Sequence, residues 1–354
     1  MKKIDYVILF CVFALTVIGL VTLSSASSDI GRVKFGDSYH YLKNQLMYGL
    51  GLGLVGFFSG LFFYYRSYQK FAHFFLLASV GLLALPIFTP LGFTAGGATR
   101  WIEIGSLTFQ TSEVVKIFFI IYMAAWLLKK PKLIPFLAVN AVIVGLLLAQ
   151  PSTGTAVILM FSVFIMYFIS GIPFRYIGAL LMVGIVGALF AFVSSDYRWN
   201  RIASFWNPEQ YEQTYAFQAG QALIAIGSGG LTGVGYGQSS IKYSSLPETI
   251  GDSIFAVFAE EWGFVGASAL VAIFLLLAFQ IIYIAKKTSD QFGRSILIGF
   301  ACLISAQAFV NMAAISSLIP LTGVPLPFIS YGGTALAAYL TMSGIILNIS
   351  RYAR

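Results

Sequence analysis

The chain has 354 residues, 58% hydrophobic and only 10% charged, with a mean hydropathy of +0.87 and a formal net charge of +8. A soluble domain carries about 25% charged residues, so this chain has too little polar surface to cover itself in water, and its solvent is lipid. Its positive charge is split among short segments without a continuous basic face, which argues against a nucleic-acid partner.

Apolar runs lie at 6–24, 46–65, 71–88, 112–128, 133–149, 155–170, 176–193, 254–285, 295–317 and 333–349. A helix rising 1.5 Å per residue crosses a bilayer with about 20 apolar residues. The expectation is therefore an all-α polytopic membrane protein of about ten transmembrane helices, a single integral membrane domain over 1–354. The first run follows Lys2 and Lys3 as in a signal peptide. It has no clear small-residue cleavage site and many runs come after it, so it reads as a retained first helix. The run at 254–285 exceeds the length of one span and is expected to start outside the hydrocarbon. Cys11 and Cys302 fall inside apolar runs and read as small buried hydrophobes, with neither a disulfide nor a metal spacing.

Orientation follows from Lys and Arg placement. With the N-terminus inside, the inner segments hold Lys2, Lys3, Arg66, Lys70, Lys129, Lys130, Lys132, Arg175, Lys286, Lys287, Arg294, Arg351 and Arg354. The outer ones hold Arg32, Lys34, Lys43, Arg100, Arg198, Arg201 and Lys242, although they are longer in total. Both termini are thus expected in the cytoplasm, with the working surface on the outer side.

Two outer loops, 89–111 and 194–253, exceed the length of connectors. In the first, GGATRWIEIG carries Arg100 and Trp101. Arg suits phosphate oxygens and Trp the headgroup zone, so the pair is either a ligand contact or an interfacial anchor. Glu113 and Lys116 follow, three apart on one helix face. Either they form a structural ion pair, or Lys116 offers its charge to a lipid phosphate with Glu113 orienting it.

In the second loop, TYAFQAGQALIAIG (214–227) is apolar but short and reads as a re-entrant or interfacial helix, with Gln218 and Gln221 on one face. The glycine-dense stretch 227–240 lacks the strand and GK[ST] ending of a nucleotide loop, and reads as close backbone packing at the membrane surface. Asp252 lies where the loop enters the next apolar run, with Glu248 one turn earlier. It is either a helix cap or a functional carboxylate. Glu260 and Glu261, two turns deeper, are expected to face protein or water. Finally, LTGVPLPFISYGGTAL (321–336), with Pro320, Pro325, Pro327, Gly332 and Gly333 in or beside it, reads as stiff, non-helical backbone. Such backbone is tolerated at membrane depth only against protein or a wet cavity, so it is expected to wall a polar cleft.

These strings in this order resemble the SEDS family, the RodA, FtsW and SpoVE proteins, over nearly the whole chain. The resemblance rests on GGATRWIEIG with QTSEVVK, QPSTGTA (150–156), RIASFWNPEQ (201–210), QALIAIGSGGLTGVGYGQSSIKYSSLPE (221–248), GDSIFAVFAEEWGFVG (251–266) and PLPFISYGG (325–333), and FtsW-like members are favoured. It implies a peptidoglycan glycosyltransferase that polymerises lipid II with inversion to β-1,4 glycan on the outer face of the cytoplasmic membrane. It also implies a cognate single-span class B penicillin-binding transpeptidase, within a division or elongation complex. The family's essential aspartate falls on Asp252, which becomes the expected base, acting directly or through a divalent cation such as Mg or Mn. Arg100, Lys116 and Lys242 are candidates for the diphosphate of the polyprenyl-linked glycan. Gln218, Gln221 and the 325–333 segment with Ser330 are candidates for the sugars, while Glu113 and Glu248 complete the expected substrate site. The chain departs from the family's usual pattern at Thr111, where Pro is usual, at Ser152, where Asp is usual, and at Ile250-Gly251 before the aspartate. A lipid II flippase and a non-catalytic scaffold are the rival readings. A flippase needs polar residues continuing to the inner side, whereas here the intramembrane charge lies mainly at the outer ends.

Overall fold

The computed structural model describes residues 3–95, 98–104, 107–171, 176, 178, 184, 187, 196–208, 215–240 and 248–353. Helices dominate, as the long apolar runs require. Besides two short helices at Ser28–Phe35 and Ser67–Lys70, they are α1 (Tyr6–Ala26), α2 (His40–Phe62), α3 (Ala72–Phe88), α4 (Thr111–Leu127), α5 (Leu133–Ala149), α6 (Thr153–Ile169), α7 (Asp196–Trp206), α8 (Tyr215–Ser228), α9 (Ile254–Lys287), α10 (Gln291–Ile315) and α11 (Gly333–Ser350). Among the described residues five of these, α1, α2, α9, α10 and α11, are long and apolar enough to cross a membrane, and α3, α5 and α6 are shorter apolar helices. The expected run at 176–193 lies outside the described residues except at 176, 178, 184 and 187, so the count of ten spans stays an expectation.

Large apolar side chains such as Phe10, Phe13, Phe62, Leu77 and Phe279 are exposed around the bundle. Water would not tolerate so much apolar surface, but a bilayer provides it with a matching solvent. The interior is built around α10 and α11. Between α2 and α11 the backbones close up through Gly49, Gly53, Gly56 and Gly60, where an added Cβ would meet Leu336, Leu340, Thr341 and the backbone of Ile345. Cys11 is buried and Cys302 half-buried, both as free thiols.

Both chain ends meet at one end of the bundle. The Asp5 amide donates to Ser350 Oγ at 3.3 Å and Gln280 Nε2 to Asp5 Oδ2 at 2.7 Å. Arg66 pairs with Asp290 at 3.1 Å, and both line a cavity with Leu128 there. The opposite end carries the elaborated segments. Within residues 89–111, expected only as a long outer loop, lies a three-stranded antiparallel sheet: β1 (Gly92–Ala95), β2 (Ala98–Ile104) and β3 (Leu107–Gln110), in the order β1-β2-β3. Trp101 faces Phe93 on one side and Gln110 on the other. Pairing supplies backbone partners that an irregular loop would have to take from water.

The helix α9 has 34 residues and would be about 50 Å long if straight. It breaks at Gly263, whose φ of 65° and ψ of −167° are not helical. A break orphans the carbonyls of residues 260 and 261 and the amides of 264 and 265. The glycine-rich loop after α8 takes up all four. Val234 and Gly235 donate to Glu260 O and Glu261 O at 3.0 and 3.1 Å, while Phe264 and Val265 donate to Gly230 O and Leu231 O at 2.9 and 3.1 Å. So close an approach leaves no room for side chains: a Cβ on Gly229 would strike the backbone of Ala259, and one on Gly233 that of Glu261. The close backbone packing read from the glycines is therefore present, and its partner is a helix kink.

Candidate active site

The turn 248–253 brings the chain onto α9. It is closed by the amides of Gly251 and Ser253, which donate to Glu248 O at 2.9 and 3.3 Å. Glu248 itself sits at φ 52°. Helical geometry starts at Ile254 and Ser253 holds the cap position, so Asp252 precedes the cap and does not form it. Gln218, buried on α8, instead donates through Nε2 to Asp252 Oδ1 at 3.4 Å and to Ser253 Oγ at 2.9 Å. Gln221 is half-buried one turn further along α8.

The proline-rich segment before α11 packs against the same turn. The Tyr331 amide donates to Ile250 O at 2.8 Å, and Ser330 Oγ donates to Gly251 O at 2.7 Å while accepting from the Leu326 amide at 2.8 Å. Gln45, in a π-helical turn of α2 (Gln45–Gly51), accepts from the Gly332 amide at 3.1 Å and steadies this wall from behind.

The electrostatics of the site centre on Asp252, a half-buried residue. Burial, with the negative charge of Glu248 second, pushes its carboxyl up to about 6. The Arg201 guanidinium, the residue's own amide and the Gln218 amide oppose that rise. Arg201, on α7, is the charge that sequence reading does not assign to the site. By charge placement it is one more outer basic residue, and its position in the string RIASFWNPEQ is the available signal. Its Nη1 donates to Leu321 O at 3.5 Å. A Cβ on Gly323, which has φ 65°, would lie 2.9 Å from that Nη1. The result is a carboxyl that gains a proton readily, beside an arginine, at the end of the bundle away from the termini. Such a group can take a proton from a hydroxyl while the cation steadies departing anionic oxygens.

The other expected site residues divide. Lys116 is wholly buried (0% exposed) inside the bundle and pairs with Glu113 (1% exposed) at 2.7 Å. Its Nζ also donates to Gln307 Oε1 at 2.8 Å and to the Tyr339 hydroxyl at 3.0 Å. With its donors directed to protein partners, it matches the structural ion pair and offers nothing to a lipid phosphate in this conformation. Arg100 is half-buried on β2, and neither it nor Lys116 is among the charges that act on Asp252. Lys242 lies outside the described residues. Glu260 and Glu261 are buried and face protein: Glu260 accepts from Ser239 and from the Ser240 amide and hydroxyl, Glu261 from Ser25. Ser152, where the resemblance leads one to expect a carboxylate, is buried and donates to Gln150 O at 3.2 Å. Gly251 sits where a Cβ would come within 3.2 Å of Glu248 Oε2, so the small residue before Asp252 leaves that carboxylate room. Among the described residues no three His, Cys, Asp or Glu side chains gather as a metal cage.

Residues 5–354 match the family model described as Cell cycle protein, the FtsW, RodA and SpoVE family. A Geobacter sulfurreducens protein named probable peptidoglycan glycosyltransferase FtsW is 37% identical over 358 residues, covering 99% of this chain and 95% of that protein. Among solved structures, one described as "Structural coordination of polymerization and crosslinking by a peptidoglycan synthase complex" has a chain similar to this one with a TM-score of 0.81. It is 28% identical, with 98% of each chain covered. The Thermus thermophilus rod shape determining protein RodA is similar with a TM-score of 0.72 and 31% identity, covering 98% of this chain and 97% of its own.

Proposed function

We propose that this chain, which belongs to the FtsW, RodA and SpoVE family of cell cycle proteins, is a peptidoglycan glycosyltransferase that polymerises lipid II on the outer face of the cytoplasmic membrane. The observation that carries the proposal is Asp252. Its carboxyl is raised to about 6, it sits at the bundle end opposite the termini, Gln218 donates to it, and the charge of Arg201 acts on it. The glycosyltransferase name of the FtsW relative supports the same reaction, and the inner excess of Lys and Arg supports cytoplasmic termini.

In this reading Asp252 accepts the proton of the acceptor sugar's 4-hydroxyl as that oxygen attacks C1 of the donor sugar from the face opposite its diphosphate. The new C–O bond forms, the bond from C1 to the phosphate oxygen breaks, and the polyprenyl diphosphate leaves with the electron pair. A diphosphate leaves without prior protonation, so one base and nearby positive charge meet the chemical demand. A glycosidase, by contrast, needs a second carboxyl to protonate its leaving alkoxide. Arg201 supplies charge that acts on the base, and Ser330 ties the wall before α11 to the turn that carries it. Arg100 and Lys242 remain proposed diphosphate contacts, and Gln221 and Glu248 proposed contacts at the edge of the sugar site. Should a divalent cation such as Mg2+ or Mn2+ bind, Asp252 and Glu248, whose charges act on one another, would hold it, as Mg2+ is commonly held by one or two carboxylates plus substrate phosphates. A bound cation would supply further charge to the diphosphate oxygens.

The partner proposed is a single-span class B penicillin-binding transpeptidase, supported by the likeness to a synthase complex that couples polymerization to crosslinking. The FtsW-type likeness favours a role in division. Purified protein in liposomes, assayed in parallel for glycan polymerisation and for transfer of labelled lipid II between leaflets, tests the reaction. Polymer without transfer is expected; transfer without polymer would make the chain a flippase.

A further inference from the structure

The 320–327 segment raises a problem of backbone partners. Its prolines at 320, 325 and 327 have no N–H, and a non-helical stretch at membrane depth must find its hydrogen bonds in protein. Two amide side chains one turn apart on α10 provide them. Gln307 Nε2 donates to Pro325 O at 2.9 Å, and Asn311 Nδ2 donates to Val324 O at 2.8 Å. Unlike that of Gln307, the Asn311 amide nitrogen also donates to the backbone carbonyl of Asp252, at 2.8 Å. Together with Ile250 O and Gly251 O, held by Tyr331 and Ser330, this makes three consecutive carbonyls of the 250–252 turn anchored to α10 or to the wall before α11.

Asn311 is 1% exposed and its Oδ1 has no hydrogen-bond partner. Leaving a buried acceptor unsatisfied is costly. Flipping the amide would be worse, because Oδ1 would then face two carbonyl oxygens. The arrangement sacrifices the acceptor to aim one donor group at both the proline-rich wall and the Asp252 turn.

We propose that Asn311 is a positioning residue for the glycosyl transfer, fixing the backbone of Asp252 against the proline-rich wall so that the carboxylate meets the acceptor hydroxyl. The inference rests on Asp252 being the base. Asn311 acts through the backbone and touches neither sugar nor diphosphate. Its effect therefore falls on the rate of the chemical step and leaves substrate affinity alone, since a misplaced base binds lipid II as well as a placed one.

The experiment compares wild type, Asn311→Leu and Asp252→Asn, each purified with the partner transpeptidase in nanodiscs and assayed with labelled lipid II. Leucine has the same branched skeleton as asparagine, with bulkier methyl ends, and removes both donated bonds. For folded, monodisperse Asn311→Leu, kcat is expected to fall by about 10- to 100-fold, with KM for lipid II within about twofold of wild type. Wild-type kcat in Asn311→Leu, or a loss carried by KM, overturns the positioning role while leaving the base intact if Asp252→Asn is inactive. Polymerisation by Asp252→Asn overturns the base reading and this proposal with it. Should Asn311→Leu fail to fold, Asn311→Ser, which relieves any overpacking and is too short to bridge the two carbonyls, carries the same two outcomes.

Discussion

Gln218 and Asp252, 34 residues apart in sequence, meet side chain to side chain: Gln218 Nε2 donates to Asp252 Oδ1 at 3.4 Å and holds Ser253 Oγ at 2.9 Å with the same nitrogen. A donor on a carboxylate favours its charged form. Gln218→Leu should therefore raise the Asp252 carboxyl above about 6 and move the acidic limb of the rate profile to higher pH. The size expected is about half a unit, measured as kcat for lipid II polymerisation against pH. A limb that stays in place would detach Gln218 from the base.

Glu248 predicts the opposite shift. A base must be ionised to work, so wild-type activity should fall as pH drops through about 6, where an ordinary aspartate would still be charged. The negative charge of Glu248 contributes to that elevation. In Glu248→Gln the carboxyl should titrate lower and the acidic limb should move down by roughly one unit. Opposite displacements in the two variants, from the same assay, would be difficult to produce by a general loss of structure.

The buried pair predicts a stability effect. Lys116 and Glu113 are 0% and 1% exposed, and their partners lie on α4, α10 and α11. Lys116→Met leaves an uncompensated buried carboxylate and should cost about 3–5 kcal/mol. The double variant Glu113→Gln/Lys116→Met should recover most of it. Thermal unfolding followed by size-exclusion chromatography in detergent checks both; equal losses in single and double variants would mean that the pair is not the relevant unit.

The loop on the α9 kink gives a graded test. Gly230 has φ 53° with open space where a methyl group would stand, whereas Gly233 has φ 84° and the Glu261 backbone in the way. Gly230→Ala should cost about 1 kcal/mol from backbone strain alone. Gly233→Ala adds a collision and should cost about 3 kcal/mol or more. The ranking, read from melting temperatures, is the prediction.

Run length makes the spans legible: the runs at 6–24 and 333–349 correspond to Tyr6–Ala26 and Gly333–Ser350, because twenty apolar residues have few other fates. The helix 214–227 is equally readable, as Tyr215–Ser228. The sheet over 92–110 is not, since its strands are four to seven residues long and lack a sustained alternation. Nor is the break at Gly263: one glycine in an apolar run carries no mark of the loop that will occupy its freed bonds. For Asp252, position along the chain allows a cap as readily as a base, and family resemblance singles it out. The bonds from Asn311 and the charge of Arg201 join segments 59 and 51 residues from Asp252 in sequence and are visible only once the chain is folded.

Glycan synthesis from labelled lipid II by the purified complex, comparing wild type with Asp252→Asn, bears on the chemistry most directly. Asparagine keeps the shape and the contact with Gln218 but cannot take up a proton. A folded Asp252→Asn protein should make no glycan above background at any pH between about 5 and 8. Glycan at near wild-type rate from that variant would show that proton transfer does not run through this carboxylate.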